Sequence, residues 1–176
     1  SLSGHKFRAP KGVGALFVRK GVKAFPIVYG GEQEEGLRPG TENVAGIVGI
    51  GVAARLARRF VESGGPAKIE TLRDELELRL KKEMPRTELI GVADGTVRLC
   101  NTISIRVPGV RNDEVVVCLD RENICISTGA ACSTGASLPS HVIRAMGYAD
   151  TEAREVVRVS LGEDNTEPES IRFVEA

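Results

Sequence analysis

The chain has 176 residues, with 24 Lys and Arg balancing 24 Asp and Glu, and is 41% apolar and 27% charged. That is a soluble globular protein of one domain, or one and a fraction at about 100–200 residues each, with no basic excess for nucleic acid. Its longest run without a polar side chain, residues 44–54, is too short for a bilayer, and no apolar stretch follows a basic start, so neither a membrane span nor a secretory signal is expected.

Residues 14–19 are short, apolar and introduced by glycine, as a strand would be. The glycines and charges of residues 30–40 predict a loop of the length that often carries function. A helical pattern runs from Thr41 to about Glu62, and Gly64-Gly65-Pro66 then supplies a stop and a start. The domain boundary is expected there, with residues 1–64 in one domain and 65–176 in the other. Gly46, Gly49 and Gly51 lie inside the helical pattern without a preceding strand, so helix packing explains them better than a dinucleotide loop.

Ile69, Leu72, Leu76 and Leu80 recur along one helix face. Residues 102–107 alternate as a half-buried strand, and Asn112 is placed to cap a helix to about Glu122. A strand over 124–127, a Gly/Ser/Thr-rich loop, a helix over 139–146 and a strand over 156–161 follow. Thr166 and Glu169 match a capping box for a last helix. Strands alternating with helices predict an α/β fold.

Cys100, Cys118, Cys125 and Cys132 form no CxxC pair, and only His5 and His141 could supplement them, which disfavours a structural zinc. Cys100, Cys118 and Cys125 have apolar neighbours and are expected to be small buried hydrophobes with inert thiols. Reduced thiols fit an intracellular, cytoplasmic setting.

Three segments carry chemistry. Ser3-Gly4-His5-Lys6 sets an amine between hydroxyl and imidazole donors, ahead of Pro10-Lys11-Gly12-Val13-Gly14. A deprotonated lysine captures carbonyls, though taken alone a lysine near a terminus is ordinarily solvated. Cys132 stands mid-loop in Ser127-Thr-Gly-Ala-Ala-Cys132-Ser-Thr-Gly-Ala-Ser137, where a nucleophilic thiol would have exposure and room; the residues alone leave a functional and an inert thiol equally open. Arg158, within an alternating strand, sends its guanidinium either to solvent or to an anion such as a carboxylate.

In this order, and with Gly36-Leu-Arg-Pro-Gly-Thr41-Glu-Asn43 between the first two, these segments resemble the pyridoxal-phosphate cysteine desulfurases of NifS/IscS type, within the class V aminotransferases. The resemblance covers essentially the whole chain, but only about the C-terminal half of a family member. It implies that residues 1–64 end the large pyridoxal 5'-phosphate-binding domain of the type I transferase fold. Residues 65–176 then form the small α/β domain carrying the cysteine loop.

By the same resemblance Lys6 holds the cofactor and shuttles protons, Ser3 and His5 bind its phosphate, and Thr41 reaches a phosphate across a homodimer interface. Cys132 attacks the sulfur of L-cysteine, and Arg158 clamps the substrate carboxylate. L-alanine leaves, and the persulfide on Cys132 passes sulfur to an acceptor or an iron–sulfur scaffold, where Cys132 could also serve as a transient cluster ligand. The acidic partner of the pyridine nitrogen belongs to the family's N-terminal half, so the 176-residue chain alone is expected to be inactive. The alternative is a non-catalytic sulfur carrier or partner-binding module that uses Cys132 without the cofactor; another class V transaminase or lyase would need no such cysteine.

Overall fold

The computed structural model describes residues 1–93, 96–129 and 139–176. They form two compact units, Ser1–Ser63 and Gly64–Ala176.

The first unit opens with a two-residue ladder, β1 (Leu2–Ser3) antiparallel to β2 (Gly14–Ala15). Between the strands, Gly4–Phe7 form a 3-10 turn that ends on Arg8 in the left-handed region, at φ 68°. Gly4 donates its N–H to Val13 O at 3.0 Å and accepts from Ala9 N at 3.0 Å. A Cβ on Gly4 would lie 2.7 Å from Val13 O and 3.0 Å from Ala9 Cβ. Only glycine fits, so Gly4→Ala is expected to destabilise the unit by about 1–3 kcal/mol. Urea unfolding followed by circular dichroism would measure this; an unchanged midpoint would contradict the packing described.

The strand expected over 14–19 is shorter because pairing needs a partner, and β1 offers two residues. Beyond Ala15 the chain is apolar yet exposed, with Phe17 at 84% and Ile27 at 94% relative exposure. Helix α1 (Val44–Glu62) begins later than the pattern from Thr41 suggests, because Asn43 is its cap, its Oδ1 accepting from Gly46 N at 3.0 Å. Gly49 lets α1 approach Pro10, whose Cδ a Cβ would meet at 2.8 Å, while Gly46 makes room for the capping Asn43 side chain.

The second unit starts where Gly64, at φ 81°, turns the chain and Pro66 opens α2 (Gly65–Glu83). Three antiparallel strands, β3 (Glu88–Ile90), β4 (Thr102–Arg106) and β5 (Val156–Ser160), lie in that order. Around them run α3 (Asn112–Arg121), α4 (His141–Ala145), α5 (Asp150–Ala153) and α6 (Glu167–Glu175). Register gives the sheet two faces. Ile103 opposite Val159 and Ile105 opposite Val157 are buried on one, and Leu76 and Leu80 of α2 are the largest side chains buried with them in the unit. Ile90 opposite Ser104, and Ser104 opposite Arg158, lie on the other face. A second cluster of Ile90, Ile143, Ala153 and Val156, with Tyr148 against it, joins the sheet to α4 and α5.

Several sequence expectations change here. The strand over 124–127 is a single bridge, Ser127 to Arg158. The cap of α3 is Arg111, while the Asn112 side chain donates instead to Val156 O at 3.1 Å, tying α3 to β5. Cys118 and Cys125 are exposed and Cys100 is half-buried, contrary to the burial expected of all three. Cys118 points away from the face that buries Leu119, and with only Ser127 paired no ladder covers Cys125. The capping box forms as read, Thr166 N donating to Glu169 Oε2 at 2.8 Å. Those bonds hold the Glu169 carboxyl below its ordinary range, the Thr166 backbone bond first.

Candidate functional site

Each unit contributes its own part. In the first, Ser3 ends β1 and His5 and Lys6 lie in the 3-10 turn that follows, and all three are exposed. Among the described residues none of these side chains has a hydrogen-bond or ion-pair partner. An amine, a hydroxyl and an imidazole are thus uncommitted on one short segment, the donor types that suit an aldehyde and a phosphate, and they fit pyridoxal 5'-phosphate. Thr41 is exposed in the loop before α1. Arg38 Nη1 shapes that loop, donating to Gly40 O at 3.1 Å and Thr41 O at 3.2 Å, while Gly40 takes the left-handed φ of 93°.

In the second unit Arg158 sits mid-strand in β5, its backbone locked on both sides. It faces Ser104 in the ladder, donates to Ser127 O at 2.7 Å and accepts from Ser127 N at 3.1 Å. Its side chain lines a cavity of about 430 Å³ with Ile90, Leu99, Ile143, Met146 and Ser104. Arg158 Nε itself is buried, with no acceptor among the described residues. A buried N–H donor without a partner costs about 1–3 kcal/mol, so an acceptor brought to Arg158 Nε would offset that cost. The apolar wall and the Arg158 guanidinium suit a small carboxylate with an apolar remainder.

Cys132 lies outside the described residues. Gly129 and Ser140, which bracket its segment, both line the Arg158 cavity. A Cβ on Gly129, at φ 85°, would come 3.5 Å from Ser140 Cβ, so the two ends of that segment are close together.

The sequence reading missed Arg98. It lines the same cavity and pairs with Glu77 of α2, Nη2 to Oε2 at 2.7 Å. Nothing in the local pattern marks it, because both its partner and its place depend on a fold contact 21 residues away in sequence.

Comparison with known proteins decides the family. Residues 1–173 match the aminotransferase class-V family. The chain belongs to it. Among curated class V relatives, the cysteine desulfurase of Cereibacter sphaeroides is 45% identical over 175 residues, covering 99% of this chain and 44% of that protein. The crystal structure of a NifS-like protein from Rickettsia africae superimposes with a TM-score of 0.85 at 34% identity, covering 98% of this chain and 44% of that one. A second structure, SspA in complex with cysteine, matches with a TM-score of 0.60 at 31% identity over 93% of this chain and 43% of its own. The chain thus spans less than half the length of these relatives.

Proposed function

We propose that this chain is the lysine-, cysteine- and arginine-bearing part of a pyridoxal-phosphate-dependent cysteine desulfurase. The observation that carries the reading is Arg158, whose Nε is buried without an acceptor among the described residues and which lines a cavity together with Gly129 and Ser140, on either side of the cysteine segment. The relatives' names and the cysteine bound to SspA support L-cysteine as substrate.

When bound, the cofactor supplies an electron-withdrawing ring that stabilises carbanionic character at the substrate α-carbon. Lys6 Nζ would hold it and carry the α-proton, with the Ser3 hydroxyl and His5 imidazole donating to its phosphate. Thr41 would reach a phosphate across a homodimer interface. Arg158 fixes the substrate carboxylate, and such positioning is worth several orders of magnitude in rate. The Cys132 thiolate bonds to the substrate sulfur as the C–S bond breaks, so L-cysteine leaves as L-alanine and Cys132 holds a persulfide. Sulfur then passes to an acceptor or iron–sulfur scaffold in the cytoplasm, with Cys132 a transient cluster ligand on that scaffold. The exposed Phe17, Phe25, Ile27 and Tyr29 support a chain that works against further polypeptide.

Incubation with pyridoxal phosphate, borohydride reduction and peptide mapping test the reading. The adduct is expected on Lys6 and absent in Lys6→Ala. Labelling of scattered surface lysines alone would remove the cofactor role and leave a sulfur carrier acting through Cys132.

A further inference from the structure

Two guanidiniums line the Arg158 cavity, and they are not equivalent. Arg158 Nε has no acceptor among the described residues, whereas both terminal nitrogens of Arg98 donate to the Glu77 carboxylate, Nη2 to Oε2 at 2.7 Å. Asp74 Oδ1 lies 3.8 Å from the same group. These bonds, the one to Glu77 first, raise the affinity of Arg98 for its proton.

Glu77 and Arg73 are the only buried charged side chains among the described residues, at 6% and 4% exposure. Both serve the short segment that walls the cavity, since Arg73 Nη1 donates to Leu99 O at 2.8 Å. Burying a carboxylate costs several kcal/mol, and tethering a segment could be done by apolar side chains at lower cost. What a carboxylate adds is neutralisation of Arg98.

We propose that Glu77 determines specificity: by saturating Arg98 it leaves the cavity one anion-binding guanidinium, Arg158, and so selects a monocarboxylate amino acid over a dicarboxylate. The proposal rests on Arg158 as the carboxylate ligand. Without Glu77, Arg98 would offer a second planar fork to the side-chain carboxylate of an acidic amino acid.

The test follows the Arg158 Nε–H signal of the full chain by NMR during titration with L-alanine and with L-aspartate. In Glu77→Gln the affinity for L-aspartate relative to L-alanine is expected to rise about tenfold, the worth of one charge-assisted hydrogen bond. The double variant E77Q/R98M is expected to lose that gain. An unchanged ratio in folded E77Q, or a gain that survives in E77Q/R98M, would overturn the proposal. Should E77Q not fold, the uncharged pair E77Q/R98M carries the test, since replacing both partners can be nearly neutral. It should bind L-alanine within about twofold of the parent chain, and a loss of about tenfold would make Arg98 an anion ligand itself and overturn the assignment. Silence of the Arg158 signal toward both amino acids in the unaltered chain would instead remove the carboxylate reading, and the proposal with it.

Discussion

Replacing Arg158 with alanine is expected to weaken binding of amino-acid carboxylates by about two to three orders of magnitude, as removal of one partner from a buried charge pair does. The fold should not suffer. Arg158 Nε is a buried donor with no acceptor among the described residues, so its removal relieves a desolvation cost, and the unfolding free energy should hold or rise by about 1 kcal/mol. Loss of binding without loss of stability marks a residue held for a ligand rather than for the core. Arg158→Lys should rescue little, because an ammonium cannot offer a carboxylate two parallel donors. Isothermal titration with L-alanine, paired with urea unfolding, measures both sides. A marked loss of stability in Arg158→Ala would mean that the side chain braces the sheet instead.

The second large effect concerns Cys132. If the whole protein is the proposed desulfurase, Cys132→Ser should abolish persulfide formation and alanine release altogether, because a serine hydroxyl cannot accept a sulfur atom from the substrate. Covalent capture of the cofactor by Lys6 should be unaffected. Cys118 and Cys125 provide an internal control, being exposed thiols on the same chain. Alkylation after brief exposure to L-cysteine should find the extra sulfur on the peptide holding Cys132 and not on theirs. Sulfur on Cys118 or Cys125 in Cys132→Ser, with alanine released, would reassign the nucleophile.

The fold was legible in the sequence where local rules decide the outcome. Gly64 and Pro66 announced the start of α2, Thr166 and Glu169 the capping box, and the alternation at residues 102–107 and 156–161 the two strands that place Ser104 opposite Arg158. Elements fixed by a partner elsewhere were not. The apolar run at 14–19 had the composition of a strand but only Leu2 and Ser3 to pair with, and residues 124–127 were reduced to one bridge. Cys118 and Cys125 misled for the same reason, since apolar neighbours in sequence do not show which side of an element is covered. Of the candidate site residues, Ser3, His5, Lys6, Thr41, Cys132 and Arg158 are proposed because they stand in short motifs that resemble a family's. Arg98 and Glu77 could not be named in this way, because a helix and a loop meet only in the fold.

The most direct test is a crystal structure of the chain grown with L-alanine, the product the proposed reaction would leave. The expected result places its carboxylate within hydrogen-bond reach of Arg158 Nε and its methyl against the apolar wall formed by Ile90 and Ile143. Arg158 Nε taken up by a carboxylate of the protein itself, with L-alanine bound elsewhere or absent, would contradict the account.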